Sequence, residues 1–326
     1  MKDLIILGNG MAGMTAALYA KRANLDFKIV GRDEYDFGQI ANAICVENFP
    51  CVKPQSGMDL AMSLHDQLTI ENDIIIEEHE VIKITRAMIN HYGLGFHIDY
   101  ADGTDDFCKA VIYALGASHR KLNCEIEEGI PIHYCAVCDG AFYKDKTVAV
   151  IGGGDVAFTE AEYLSKICKQ VFIVICDENV TAAASTFERV KNIDNIDIAY
   201  NFSVSTISET SHFAEKYVLS STIGFIGIDG IFVAIGMIPN TAPLKEIEEL
   251  DQDGGFWCWP NTLQSMRIPG LFGAGDVRVK QVRQAITAAS DGAIAVQGVI
   301  EYLKNYSNNL SNDSNKEKWK HFELTT

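Results

Sequence analysis

Cys135-Ala136-Val137-Cys138-Asp139-Gly140 is the stretch of this chain best suited to chemistry, and it holds the chain's one C-x-x-C. Two thiols at this spacing can close a small disulfide ring, and such pairs have depressed thiol pKa values. A tetrahedral zinc site would need two further ligands at matching spacing, and neither a second C-x-x-C nor an H-x-x-x-H supplies them. A redox dithiol is the reading favoured over zinc or a merely structural pair of thiols. Asp139, next to Cys138, could move a proton to or from a departing thiolate. Its plainer reading is a turn residue ahead of Gly140.

Two glycine loops come next. Gly8-Asn9-Gly10-Met11-Ala12-Gly13 fits G-x-G-x-x-G and stands between the apolar run Leu4–Leu7 and helical spacing over Ala12–Ala23. Glycine there permits a tight turn, close pyrophosphate approach and close helix packing, while the helix start offers free N–H groups. The ribose-binding acid is expected about 20 residues on. Asp33 and Glu34 are the candidates, although the usual strand-end position is Gly31. Gly152-Gly153-Gly154-Asp155-Val156-Ala157 repeats the pattern with Ala157 in the third glycine's place.

These loops need strand–turn–helix–strand frames. Phe27–Val30 completes the first. Lys146–Ile151, a helix over Asp155–Ile167 and Gln170–Ile175 complete the second. Further strands are expected at Ile74–Glu77, Val111–Ala114, Ile231–Ala234 and Leu271–Phe272, with a helix over Gln284–Tyr302. The fold class is α/β with two Rossmann-like nucleotide-binding domains. Polar Asn305–Asn315 reads as a linker.

Composition sets the outer bounds. The 326 residues suit two domains, and 48% hydrophobic with 22% charged is ordinary globular usage. A net charge of −17 disfavours nucleic acid and anionic membranes. No apolar run approaches membrane-span length. Nine cysteines without an export signal point to a reducing, cytoplasmic setting, most of them as buried small hydrophobes.

The dithiol stretch followed by Val148–Gly154 resembles the low-molecular-weight thioredoxin reductases. So do Phe37-Gly38-Gln39-Ile40, Val46-Glu47-Asn48-Phe49-Pro50, Phe232–Gly236 with Pro239-Asn240-Thr241, and Gly275-Asp276-Val277 with Arg283–Ala289. The resemblance runs from about Lys2 to Leu303. It implies an FAD domain in two pieces, 1–115 and 244–326, with 306–326 a polar tail. Inserted between them is a nicotinamide-domain-like unit, 116–243, carrying the dithiol. It implies a homodimer in which Cys138 faces the flavin, Cys135 attacks the disulfide of thioredoxin and Asp139 is the acid. Gly8, Gly10, Met11, Ala12, Gly13, Gln39, Asn48, Gly275, Asp276, Arg283, Gln284 and Ala285 match its FAD-binding positions. No metal is implied.

One position departs from that pattern. NADPH-dependent members carry His-Arg-Arg and a further Arg after the inserted domain's second strand. This chain reads Ile175-Cys176-Asp177-Glu178-Asn179-Val180-Thr181. Losing two charge-assisted hydrogen bonds would cost about 3–6 kcal/mol, or about 10²–10⁴-fold in affinity. The expectation from this loss is a pyridine-nucleotide-independent reductase, similar to the ferredoxin-dependent flavin thioredoxin reductases. Ferredoxin near about −400 mV could drive thioredoxin near about −270 mV. Arg278, Lys280, Lys316, Lys318 and Lys320 are candidates for an acidic ferredoxin's patch, or are ordinary solvated charges. The alternatives are an NADH- or NADPH-dependent reductase, or a dithiol oxidase using O₂. Of the smaller signals, Cys45 and Cys51 read as structural thiols and Cys176 as filler. Trp257 and Trp259 read as packing residues. Trp319 and Phe322 lie in the tail and could cap the flavin.

Overall fold

The computed structural model describes residues 1–43, 46, 48–89 and 93–311. They group into two units, one of 1–42, 49–118 and 238 onward, the other of 43–48 and 119–237.

The first unit opens with β1 (Lys2–Leu7), α1 (Met11–Arg22) and β2 (Phe27–Gly31). Then follow α2 (Gly57–Asn72), β3 (Ile76–Glu78), β4 (Val81–Ile89), β5 (Gly93–Tyr100) and β6 (Asp105–Tyr113). β1 lies between β2 and β6 and runs parallel to both. Its side chains alternate, as a strand buried on both faces requires. Leu4 and Ile6 enter one core with Met14, Ala17 and Val296, while Ile5 and Leu7 enter another with Phe96, Tyr113 and Phe256. The hairpin of β4 and β5 extends the sheet antiparallel, with Ile84 opposite Ile98.

The chain then builds the second unit. After β7 (Ala117–His119) come β8 (Glu125–Ile126), β9 (Ile132–His133), the one-turn α3 (Ala136–Asp139), β10 (Thr147–Ile151), α4 (Asp155–Ser165) and β11 (Gln170–Val174). Then come α5 (Ala184–Val190), β12 (Ile196–Ala199), β13 (Thr206–Glu209), β14 (Tyr217–Ser221), β15 (Gly224–Ile228) and β16 (Gly230–Val233), and β17 (Met237–Pro239) starts the return to the first unit. The central sheet has the order β12-β11-β10-β16-β9. Its middle strand repeats the alternation of β1: Val148 and Val150 face α4, and Ala149 and Ile151 face the β13–β15 side.

The return to the first unit adds β18 (Leu271–Gly273), parallel to β6, and the long α6 (Ala285–Ser311). α6 packs closely on α1. A Cβ on Gly292 would stand 2.2 Å from the Ala12 carbonyl oxygen. The helix continues past Tyr302 through Asn305–Ser311, where the polar composition reads as linker. Once α6 is nucleated on its buried face, each added residue gains a backbone hydrogen bond, so a polar stretch can prolong it. The tail residues Lys316, Lys318, Trp319, Lys320 and Phe322 lie outside the described residues, as does Cys45.

Candidate functional site

The cysteine pair sits at the start of α3. Cys135 precedes the turn in extended backbone, and Cys135 and Cys138 are joined by a disulfide with Cα atoms 5.3 Å apart. The Cys138 N–H points at the Cys135 sulfur at 3.2 Å, and the Asp139 N–H bonds the Cys135 carbonyl. Both cysteines are half-buried. Asp139 is buried at 7% exposure, with one oxygen on His133 and the other, Oδ1, without a hydrogen-bond partner. Glu160 of α4 reaches the same turn, where its carboxylate accepts the Ala136 N–H at 3.3 Å. Burial pushes its pKa up to about 7, and the Ala136 hydrogen bond offsets only part of that. Sequence reasoning missed Glu160, since an acid on a helix ordinarily reads as solvated.

The two glycine loops have matching backbone geometry. Gly8, at φ +106°, lies where a Cβ would be 2.4 Å from the Ala114 carbonyl oxygen. Gly152, at φ +151°, stands in the same relation to Ala234, again at 2.4 Å. Each loop follows the C-terminal end of its sheet's central parallel strand, where α/β sheets bind ligands. Gly10 and Gly154 precede α1 and α4 without a side-chain cap, so the first-turn N–H groups stay available to phosphate. A Cβ on Gly13 would fall 1.7 Å from the Gly8 carbonyl oxygen, so only glycine lets α1 approach this closely.

Within the first unit the structure brings the Gly8 loop and the Gly275 loop together. A Cβ on Gly275 (φ +79°) would be 3.1 Å from Ala12 Cβ, and Met11 and Ala12 are buried in the first turn of α1. Asp276 Oδ1 and Arg283 Nε are buried without hydrogen-bond partners. Burial raises the Asp276 pKa, offset by Lys280 and Arg283. Two glycine cradles, an uncapped helix start, a buried Arg283 N–H without a hydrogen-bond partner and the Asp276 carboxylate, 3.8 Å from Lys280, fit the pyrophosphate and polyol of a dinucleotide such as FAD. Gln284 and Ala285 start α6, where the Gln284 N–H is capped by Thr287. Gln39 is exposed in the 3₁₀ turn Gly38–Asn42. Asn48 groups with the second unit.

Two residues that the sequence did not single out hold this arrangement. Asp291 of α6, 4% exposed, accepts the Gly275 N–H at 3.0 Å, chelates Arg278 and pairs with Lys280 at 2.9 Å. Arg278 and Lys280 are therefore tied inward and are not a solvated basic patch. Asn9 donates to the carbonyls of Asp33 and Glu34, and its amide fills the space a Cβ on Gly31 would need, 2.6 Å away. That explains glycine at the strand end. Asp33 Oδ1 accepts the Tyr35 N–H and Glu34 Oε1 meets His65, which leaves the second oxygen of each carboxylate outside these two contacts.

In the second unit the segment after β11 folds onto the Gly152 loop. The N–H groups of Thr181 and Ala182 both bond the Gly153 carbonyl, and Ala183 N–H bonds Asp155. Asp177 and Glu178 stand exposed there. Cys176 is exposed too, with its sulfur 3.7 Å from Asp177, and is not buried filler. Trp257 and Trp259 are also slightly more than half exposed, on either side of buried Cys258.

Comparison with known proteins decides the family. The model of the pyridine nucleotide-disulphide oxidoreductases matches residues 2–292, which span both glycine loops and the dithiol. The chain belongs to that family, within its low-molecular-weight thioredoxin reductase branch. A thioredoxin reductase of Listeria innocua is 33% identical over 323 residues, covering 96% of this chain and 98% of that protein. One from Mycoplasma genitalium is 36% identical over 302 residues, covering 90% of this chain and 93% of that one. The crystal structure of the Streptococcus pyogenes enzyme superposes with a TM-score of 0.81 at 33% identity, covering 94% of this chain and 99% of that one. The protein is an FAD oxidoreductase.

These findings overturn the expectation of pyridine-nucleotide independence and of ferredoxin as donor. The physical error lies in what the missing cations mean. They bear on the 2′-phosphate alone, whereas the cradle at Gly152–Gly154 and the uncapped start of α4, which a dinucleotide backbone needs, are intact.

Proposed function

We propose that this protein is an FAD-dependent thioredoxin-disulfide reductase fed by a reduced pyridine nucleotide. The observation that carries the reading is the Cys135–Cys138 disulfide with buried Asp139 beside it, in a unit that has its own dinucleotide cradle. Bound FAD supplies a centre that takes an electron pair from a nicotinamide and yields it to a disulfide. Gly8, Gly10, Met11, Ala12, Gly13, Gly275, Asp276, Arg283, Gln284 and Ala285 would hold it, with Gln39 and Asn48 assigned from the family pattern. Cys135 is the thiol that attacks the disulfide of thioredoxin. Cys138 resolves the mixed disulfide, and Asp139 takes and returns the proton. The working form is a cytoplasmic homodimer, on the same family grounds. Among the described residues no helix is long and apolar enough to cross a membrane.

The test is anaerobic mixing of the oxidised holoenzyme with NADH and with NADPH, followed by oxidised thioredoxin. Flavin bleaching by either nucleotide, then appearance of thioredoxin thiols, is the expected result. A flavin that neither nucleotide bleaches within minutes would overturn the proposal.

A further inference from the structure

His133 is the second-unit residue whose surroundings the reading above leaves unused. It ends β9, two positions before the dithiol, and is 5% exposed. Its Nδ1 lies 2.9 Å from Asp139 Oδ2 and its Nε2 lies 2.6 Å from the Tyr143 hydroxyl. The ring is packed between Tyr143 and Phe232, with centroids 5.2 Å from each. Tyr143 is itself set by Gly230, since a Cβ there would stand 2.3 Å from the phenol ring.

The donors and acceptors order themselves. A carboxylate only accepts, so Nδ1 carries the proton and donates to Asp139. Neutral imidazole then has Nε2 free to accept, and Tyr143 is the donor it meets. Burial pushes the Tyr143 phenol up to about 12, which keeps that hydroxyl protonated. Asp139 thus has Oδ2 occupied by His133 and Oδ1 buried with no partner. A loosely held Asp139 could exchange its two oxygens; here the His133 contact engages Oδ2 and leaves Oδ1 as the free one.

We propose that His133 is a positioning residue for disulfide exchange: with Tyr143 behind it, it fixes Asp139 so that Oδ1 is the atom that exchanges the thiol proton. The proposal rests on the thioredoxin-reductase reading. In the step concerned, the Cys138 thiol gives its proton to Asp139 Oδ1 and its sulfur attacks Cys135 of the mixed disulfide. The Cys135–Cys138 bond forms and the bond between Cys135 and thioredoxin breaks. The departing thioredoxin thiolate takes up a proton. Over the initial attack by Cys135 and this step together, the dithiol is oxidised by two electrons and thioredoxin is reduced by two.

The experiment isolates this step from the donor. Holoenzyme reduced by dithionite is mixed anaerobically with oxidised thioredoxin, and released thiols are counted after acid quenching. Wild type is compared with His133→Ala, His133→Asn and Tyr143→Phe. Asn retains an N–H near the Nδ1 position. His133→Ala should slow the maximal rate by about 10- to 100-fold without changing half-saturation by thioredoxin, the loss of one charge-assisted hydrogen bond. His133→Asn should recover most of the rate, and Tyr143→Phe should fall between. A purely structural role would lower stability in all three and would show no rescue by Asn. His133→Ala at the wild-type rate, or His133→Asn as slow as Ala, overturns the proposal. If His133→Ala fails to fold, Tyr143→Phe at the wild-type rate overturns it. The same four proteins are run with dithiobis(nitrobenzoate). A wild type that reduces this reagent and not thioredoxin refutes the functional reading, and the variants' order on the reagent still decides the role of His133.

Discussion

Cys108, Cys168 and Cys258 lie buried, and burial pushes their thiols up, to about 11 at Cys168 and about 12 at Cys258. A thiol that far above neutrality supplies almost no thiolate, and the thiolate is what reacts. Cys51 and Cys176 are exposed. A brief iodoacetamide pulse on the reduced native protein at neutral pH should therefore label Cys135, Cys138, Cys51 and Cys176. Cys108 and Cys258 should stay unlabelled until the chain unfolds, and peptide mass spectrometry that finds either labelled in the native pulse refutes this. Glu160 makes a second residue-level prediction. Its folded pKa is raised from the ordinary 4.5 to about 7. The folded state holds this proton more tightly than the unfolded chain, so the stabilisation is full below pH 4.5 and is lost as pH rises through about 7. Above that, wild type carries a buried carboxylate with Oε2 unpaired. Glu160→Gln should match wild type near pH 4.5 and exceed it by roughly 2 kcal/mol at pH 8, read by denaturant unfolding. Equal curves at pH 8 would mean that burial does not penalise the charge.

The elements that carry the sites were mostly visible in the sequence, because each has a regular signal. The apolar run and glycine turn of β1 and α1, and their counterparts β10 and α4, fall where periodicity predicts them. The β4–β5 hairpin and the β13–β15 meander did not stand out. Met88 is more than three-quarters exposed and Phe225 about two-thirds exposed, so apolar and polar residues do not alternate cleanly in those strands. Asp291 and Asn9 were hidden for another reason. Their roles depend on residues 11 or more positions away, which a local pattern cannot display. The segment after β11 shows how a correct local observation can be over-read. Asp177 and Glu178 do stand exposed where a 2′-phosphate would need cations, yet the cradle beside them is complete. The consequence drawn at this scale is a preference between two donors. kcat/KM for NADH should exceed that for NADPH by about tenfold or more, since like charge repels the 2′-phosphate and no guanidinium replaces it. Asp177→Arg with Glu178→Arg should narrow or reverse the ratio. An unmodified enzyme that prefers NADPH would show that the phosphate is met elsewhere.

At the scale of the whole chain, each unit has a sheet buried on both faces and its own pair of apolar cores. Leu4, Ile5 and Phe272 belong to one unit's cores, and Val148, Ala149 and Phe232 to the other's. A protein built this way need not unfold in one step. Ligand linkage offers a way to tell its transitions apart, because a group bound by the native form alone stabilises the unit that holds it by RT ln(1 + [L]/Kd), about 4 kcal/mol at a thousandfold excess over Kd. On the proposed reading FAD would be held by loops at Gly8 and Gly275, both in the first unit, whereas Glu160 lies in the second. Calorimetry at pH 8 should accordingly resolve two transitions. Removing FAD should lower one and leave the other in place, and Glu160→Gln should raise the second and leave the first. A single transition that shifts as a whole under both changes would mean that the units unfold as one, and the stability of the dithiol turn would then depend on whether flavin is bound.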